Sequence, residues 1–200
     1  MPSSSDRSNG QHGDLVSAVL WRRLDRPGHD AVRLLHGGDT WRLDGAVVMA
    51  EQGIPCAFAY EVIADDAWLT RTATVRGWFG GVRIEVTISA DGRGGWSMNG
   101  VAQPQVFGCL DVDLQFTPAT NTLPIRRLDL ASGASARVRA AWLRFPDLVL
   151  EPLDQTYRRS GPDQYAYESG GGSFRSVLSV NAAGLVINYG EYWRAEASHA

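Results

Sequence analysis

Residues 108–130, GCLDVDLQFTPATNTLPIRRLDL, decide the fold. The first half alternates. Val112, Leu114 and Phe116 fall on one side of an extended chain, and Asp111, Asp113 and Gln115 on the other. Pro118 ends the run, because it has no N–H to give a ladder. Thr120, Asn121 and Thr122 readily bond their own backbone, so the next residues read as a turn-rich connection. Arg126 and Arg127 follow, in a short amphipathic piece with Leu123, Ile125, Leu128 and Leu130. One short reach of chain thus carries two carboxylates, an amide, hydroxyls and two guanidiniums.

Working outward, the same period of two recurs. Residues 82–89 show it most cleanly, with Val82, Ile84, Val86 and Ile88 set against Arg83, Glu85, Thr87 and Ser89. That predicts one buried and one wet face. Residues 31–36, 41–50, 56–64, 68–78, 134–145, 148–159, 165–169, 174–180 and 185–189 read as further strands, with residues 15–24 strand or helix. In 68–78 the alternation puts Arg71, Ala73 and Val75 on one side. Asp91-Gly92 and Asn99-Gly100 are hairpin signals around a short strand at 95–98. Asp44-Gly45 predicts a bulge or bend. About a dozen short strands at hairpin spacing, with no long amphipathic helix, give an all-β, single-domain antiparallel barrel or half-barrel. Its expected extent is 15–193, between a disordered tail at 1–14 and a polar tail at 194–200.

Composition bounds the partners. The 200 residues carry a net charge of −3, so no basic field attracts nucleic acid. All 19 cationic side chains are Arg, but they spread along the chain and mark no patch. No run is long enough to span a bilayer, and the N-terminus has no apolar signal core. The expectation is a cytoplasmic chain with Cys56 and Cys109 reduced. The four histidines show neither HxH nor HExxH spacing. GxSxG is absent, and the glycine runs lack a P-loop context. No metal or cofactor is expected.

Asp111 and Asp113 share a strand face. They suit acid–base work, or ion pairs with Arg126, Arg127, Arg137 or Arg139. Asn121 with Arg126 and Arg127 suits a carboxylate, a phosphate or sugar hydroxyls, or alternatively braces the loop. Most of the seven Trp, six Tyr and six Phe read as core packing, yet a dozen strands closing on themselves often leave an interior too large for side chains alone, and that interior binds apolar ligands.

One family shares these residues. The run Asp111-Val112-Asp113-Leu114, Phe116-Thr117-Pro118, Thr120-Asn121 and Leu123 to Leu128 resembles the signature of the glycolipid-binding protein family, a bacterial domain formerly of unknown function. Tyr60, Trp68-Leu69-Thr70-Arg71, Gly95-Trp96, Ala141-Trp142, Phe145-Pro146 and Gln155-Thr156-Tyr157-Arg158 extend the likeness over most of the chain. The resemblance implies a barrel-like fold similar in shape to carriers of lipidated proteins. It supplies no catalytic residues.

The leading expectation is therefore non-catalytic binding of an amphiphilic lipid or glycolipid in a barrel cavity. Tyr60, Trp68, Trp142 and Tyr157 would line it, and Arg71, Asp111, Asp113, Asn121, Arg126 and Arg127 would meet the head group. One alternative is an enzyme using Asp111 or Asp113 as acid or base, with Arg126 or Arg127 holding an anion. Another is an interaction protein with a filled core, using a sheet edge or aromatic patch.

Overall fold

Alternation along nearly every segment makes sheet the only economical way to bury this chain. The computed structural model describes residues 13–199. They form one sheet of fifteen strands. A first meander holds β1 (Asp14–Arg23), β2 (Gly28–Gly37), β3 (Thr40–Glu51), β4 (Ile54–Asp65), β5 (Thr70–Phe79), β6 (Val82–Ala90), β7 (Trp96–Met98) and β8 (Val101–Ala102). The chain then crosses to β9 (Asp111–Leu114) and returns through β10 (Ser135–Arg144), β11 (Val149–Gly161), β12 (Gln164–Ser169), β13 (Phe174–Val180), β14 (Val186–Tyr189) and β15 (Trp193–His199). β1 pairs with β15, which joins the meanders at mid-sheet and leaves β8 and β9 as the two edges. Every pairing is antiparallel except β9 with β10.

The sheet rolls up without closing its ladder, so it is an all-β half-barrel. Its edge is nevertheless tied across the gap. The Thr70 N–H donates to the Leu110 carbonyl at 3.1 Å, and the Val112 N–H donates to Thr70 Oγ1 at 3.0 Å. The Trp96 indole N–H reaches the Cys109 carbonyl at 3.0 Å.

The stretch that opened the sequence reading sits inside this roll. β9 stops at Leu114, four residues before Pro118, because a turn closed by the Thr117 N–H on the Leu114 carbonyl takes over. Residues 119–121 then form one 3-10 turn, and α1 (Thr122–Leu128) follows. Phe116, Ala119 and Leu123 join the core of the first meander, while Ile125 and Leu130 join a second core with Tyr157, Tyr165, Tyr167 and Leu178. Phe116 lies 5.2 Å from Phe58 and 6.1 Å from Phe145, ring centre to ring centre. The segment is a plug. Its apolar side chains fill space that the sheet alone would leave open.

Four local expectations change. Residues 194–199 belong to β15 and pair with β1, so they are strand and not tail; most of the expected N-terminal tail lies outside the described residues. Residues 15–24 resolve as strand. Gly45 makes no bulge: Val32, Gly45 and Tyr60 stand in regular register, and a Cβ on Gly45 would overlap the Tyr60 ring. In β5 a register shift pairs Ile63 with Thr72 and Ala64 with Thr70, so Arg71 is squeezed out. Thr70, Ala73 and Val75 face the core instead, and Arg71 binds Asp65 at 2.6 Å on the outside.

Candidate functional site

The residues expected at one cavity mouth come together only in part: Asp113, Tyr157 and Asn121 join one hydrogen-bonded chain through Gln155, beside the Asp111–Arg127 pair, while Tyr60, Trp68, Arg71 and Arg126 lie elsewhere. Arg127 pairs with Asp111 in a two-pronged contact, its Nε donating at 3.1 Å to one carboxylate oxygen and its Nη2 donating to the other. The Asp111 side chain is 1% exposed and that of Arg127 14%. Burial lifts the Asp111 carboxyl above its ordinary range, and the guanidinium holds it back. Asp113 has a different partner. The Gln155 amide donates to it at 2.7 Å, and among the described residues it forms no ion pair. Burial pushes its carboxyl up to about 6, against the lowering effect of Gln155. Asn121 is fully engaged, accepting the Tyr157 hydroxyl at 2.9 Å and donating to the Pro118 carbonyl at 3.2 Å. It braces the plug against β11.

Tyr60 and Tyr157 do not face a hollow. Tyr60 is 2% exposed and lies edge-on to Phe116 at 6.0 Å, and Tyr157 lies 5.0 Å from Tyr167. Trp142 stands half-buried on β10 opposite Asp113 and Glu151. Sequence reasoning missed Asp30 altogether. This buried residue of β2 accepts both the Tyr60 hydroxyl at 3.1 Å and the Thr117 hydroxyl at 2.5 Å, which ties the plug to the sheet. With no cation beside it, burial lifts its carboxyl to about 7 despite those hydrogen bonds.

Trp68 and Arg126 do come together. Trp68 stacks on Trp41 at 4.2 Å, His36 lies 4.2 Å beyond Trp41, and the Arg126 guanidinium sits 5.4 Å over the Trp68 ring. Trp68 holds a left-handed backbone, φ 63°, inside a turn closed by Asp65 and Leu69. Such strain persists only where surrounding contacts enforce it.

A wide groove opens on the outside of the sheet. Sheet register lines up Ala197, Leu20, Ala31, Ala46 and Ala59 across β15, β1, β2, β3 and β4, and all five are exposed. The row ends at Arg76, which is paired with Glu85. Two residues along the strands lies a second row of Val48, Ala57 and Trp78. On the other side the next row runs from Ala18 through Arg33, Asp44 and Glu61, and its three charged residues form a polar border with Arg33 bonded to Asp44. A groove of about 570 Å³ runs over the small side chains. A wet sheet face ordinarily alternates to polar residues, so an apolar row here asks for an explanation. Each alanine was visible at an outward position of its own strand; only register aligns them.

A second pocket, of about 470 Å³, is polar and opens between β10, β11 and β12 at Arg137, Arg139, Asp154, Gln155 and Ser169. Gln155 lines it and stands between the pocket and Asp113.

The family model described as "Putative glycolipid-binding" matches residues 18–195. The chain belongs to this family. A crystal structure of a DUF1089 family protein from Pseudomonas aeruginosa superposes with a TM-score of 0.71 at 30% identity, over 94% of this chain and 96% of that one. No curated protein matches. The matched residues span both meanders and the plug. Among the described residues no helix is long and apolar enough to cross a membrane.

Proposed function

We propose that this glycolipid-binding family member holds an amphiphilic lipid, a glycolipid, on the outer face of its half-barrel without chemically changing it. The observation that carries the reading is the solvent-facing row from Ala197 to Ala59 and the groove of about 570 Å³ above it. That volume falls in the ordinary range for small-ligand sites. Four inter-strand steps make the row roughly 19 Å long, at ~4.8 Å per step, which suits an extended acyl chain. The polar border supplies partners for a head group: the Arg33–Asp44 pair, Ser198 and His199.

The site differs from the interior cavity that aromatic content suggested. The plug packs into that interior, and Tyr60 and Tyr157 bond to Asp30, Thr117 and Asn121. An acid–base enzyme draws support from the lifted carboxyls of Asp111 and Asp113, but Asp111 is held in its pair with Arg127. Against it, Gln155 separates Asp113 from the polar pocket.

The test is native mass spectrometry of the full chain incubated with a glycosyl diacylglycerol, beside an Ala46→Arg variant. A lipid adduct on the parent chain and its loss on the variant, with unchanged thermal stability, support the reading. An adduct equally strong on both proteins removes the groove as the site.

A further inference from the structure

Twelve of the eighteen arginines among the described residues lie within ion-pair reach of a carboxylate. Two of the other six, Arg126 and Arg159, line one small pocket of about 100 Å³ between α1 and the strand ends of β11 to β14. Both are positioned in advance. Arg126 lies 5.4 Å over the Trp68 ring, and its stem passes against Gly184, where a Cβ would come within 2.7 Å of Arg126 Cδ. Gly184 also adopts φ +87°, which disfavours any other residue. Arg159 lies 5.9 Å over the Tyr165 ring and donates to the carbonyls of Leu130, Gly161 and Pro162. A guanidinium has five N–H donors. Arg159 therefore keeps two in reserve, and among the described residues Arg126 uses none.

We propose that Arg126 and Arg159 form a binding site for a phosphate group, the oxyanion seated between the two guanidiniums. A fork of N–H donors matches phosphate oxygens, and aromatic stacking fixes each fork before the ligand arrives. Size agrees: the pocket, at about 100 Å³, has room for a phosphate group. Asp129 and Asp163 line the same pocket, and neither lies within ion-pair distance of either arginine. They repel a bare dianion and attract a cation or hydroxyl donor carried next to the phosphate. The favoured ligand class is thus a zwitterionic phosphate ester, such as a phosphoethanolamine head, either free or at the end of a lipid. The site lies away from the alanine row, so it stands or falls independently of the groove.

The experiment follows the indole N–H signal of Trp68 and the Nε–H signals of Arg126 and Arg159 by NMR. The full chain is titrated with inorganic phosphate, then with O-phosphoethanolamine, and its sedimentation with phosphatidylethanolamine vesicles is measured in parallel. The proposal expects saturable shifts of all three signals, with phosphoethanolamine binding more tightly than phosphate. Arg126→Ala, an exposed position, is expected to weaken binding tenfold or more, with partial recovery in Arg126→Lys and no change in Ala46→Arg. Binding of the soluble compound but not of vesicles assigns a free metabolite as the source, and sedimentation with vesicles assigns a lipid. Unmoved signals at millimolar ligand together with no vesicle binding, or an Arg126→Ala variant that binds as well as the parent chain, overturn it.

Discussion

Asp111 and Asp113 are two positions apart on one strand, yet they live in different electrostatic worlds. Asp111 faces a guanidinium and Asp113 an amide. Removing one partner of a buried pair strands the other charge, so Arg127→Ala is expected to cost about 3–5 kcal/mol in a denaturant melt. Asp113→Asn leaves that pair intact and is expected to leave stability unchanged or raised above pH 6. Equal losses in both variants would contradict the pairing. Asp30 gives a pH prediction. Its carboxyl is lifted from 3.8 to about 7 on folding, so between those values the folded chain binds more protons than the unfolded chain. Its stabilising contribution is complete below about 3.8 and is lost as pH rises to about 7. Asp113 acts with the same sign, up to about 6. Asp25, Asp91 and Asp154 are lowered, so what they contribute is lost only below about 3.8. The melting temperature is therefore expected to fall between about pH 4 and pH 7, and Asp30→Asn to flatten that slope. A parent chain that gains stability over the same range would show that Asp30 is solvated.

At the scale of elements, the plug is what completes the half-barrel. Phe116 and Leu123 are each 1% exposed, and each reaches the core from a segment with little regular hydrogen bonding of its own. Truncating them opens a cavity that the rolled sheet cannot collapse, so Phe116→Ala is expected to cost about 3–5 kcal/mol and Leu123→Ala about 2–5 kcal/mol. A loss below 1 kcal/mol in both would mean that the sheet stands without its filling. The plug also shows what one-dimensional reading reaches. The alternation of Val112 and Leu114 and the amphipathic turn near Arg126 were legible, because each rests on neighbours in sequence; the strand's end at Leu114, ahead of Pro118, was not. Its insertion into the roll was not, since that depends on Thr117 meeting Asp30 and Tyr60 across 87 and 57 residues of chain. Arg71 failed for the same reason: one bulge opposite Ile63 and Ala64 reverses its side, and bulges leave no mark in the period of two.

Across the whole molecule, two meanders meet at β1 and β15, and their junction carries the apolar row on the outer surface. The strands were legible one at a time. The site was not, because Leu20, Ala31, Ala46 and Ala59 become neighbours only when four strands take their register. The proposed function places the lipid outside the roll, over the bare outer row. Spin-labelled fatty acid, added to isotope-labelled chain, tests this most directly by NMR line broadening. The account predicts that amides of Ala31, Ala46 and Ala59 broaden first, while those of Phe116, Leu123 and Tyr157 stay sharp. Early broadening of the plug and Tyr157, with the alanine row untouched, would contradict it.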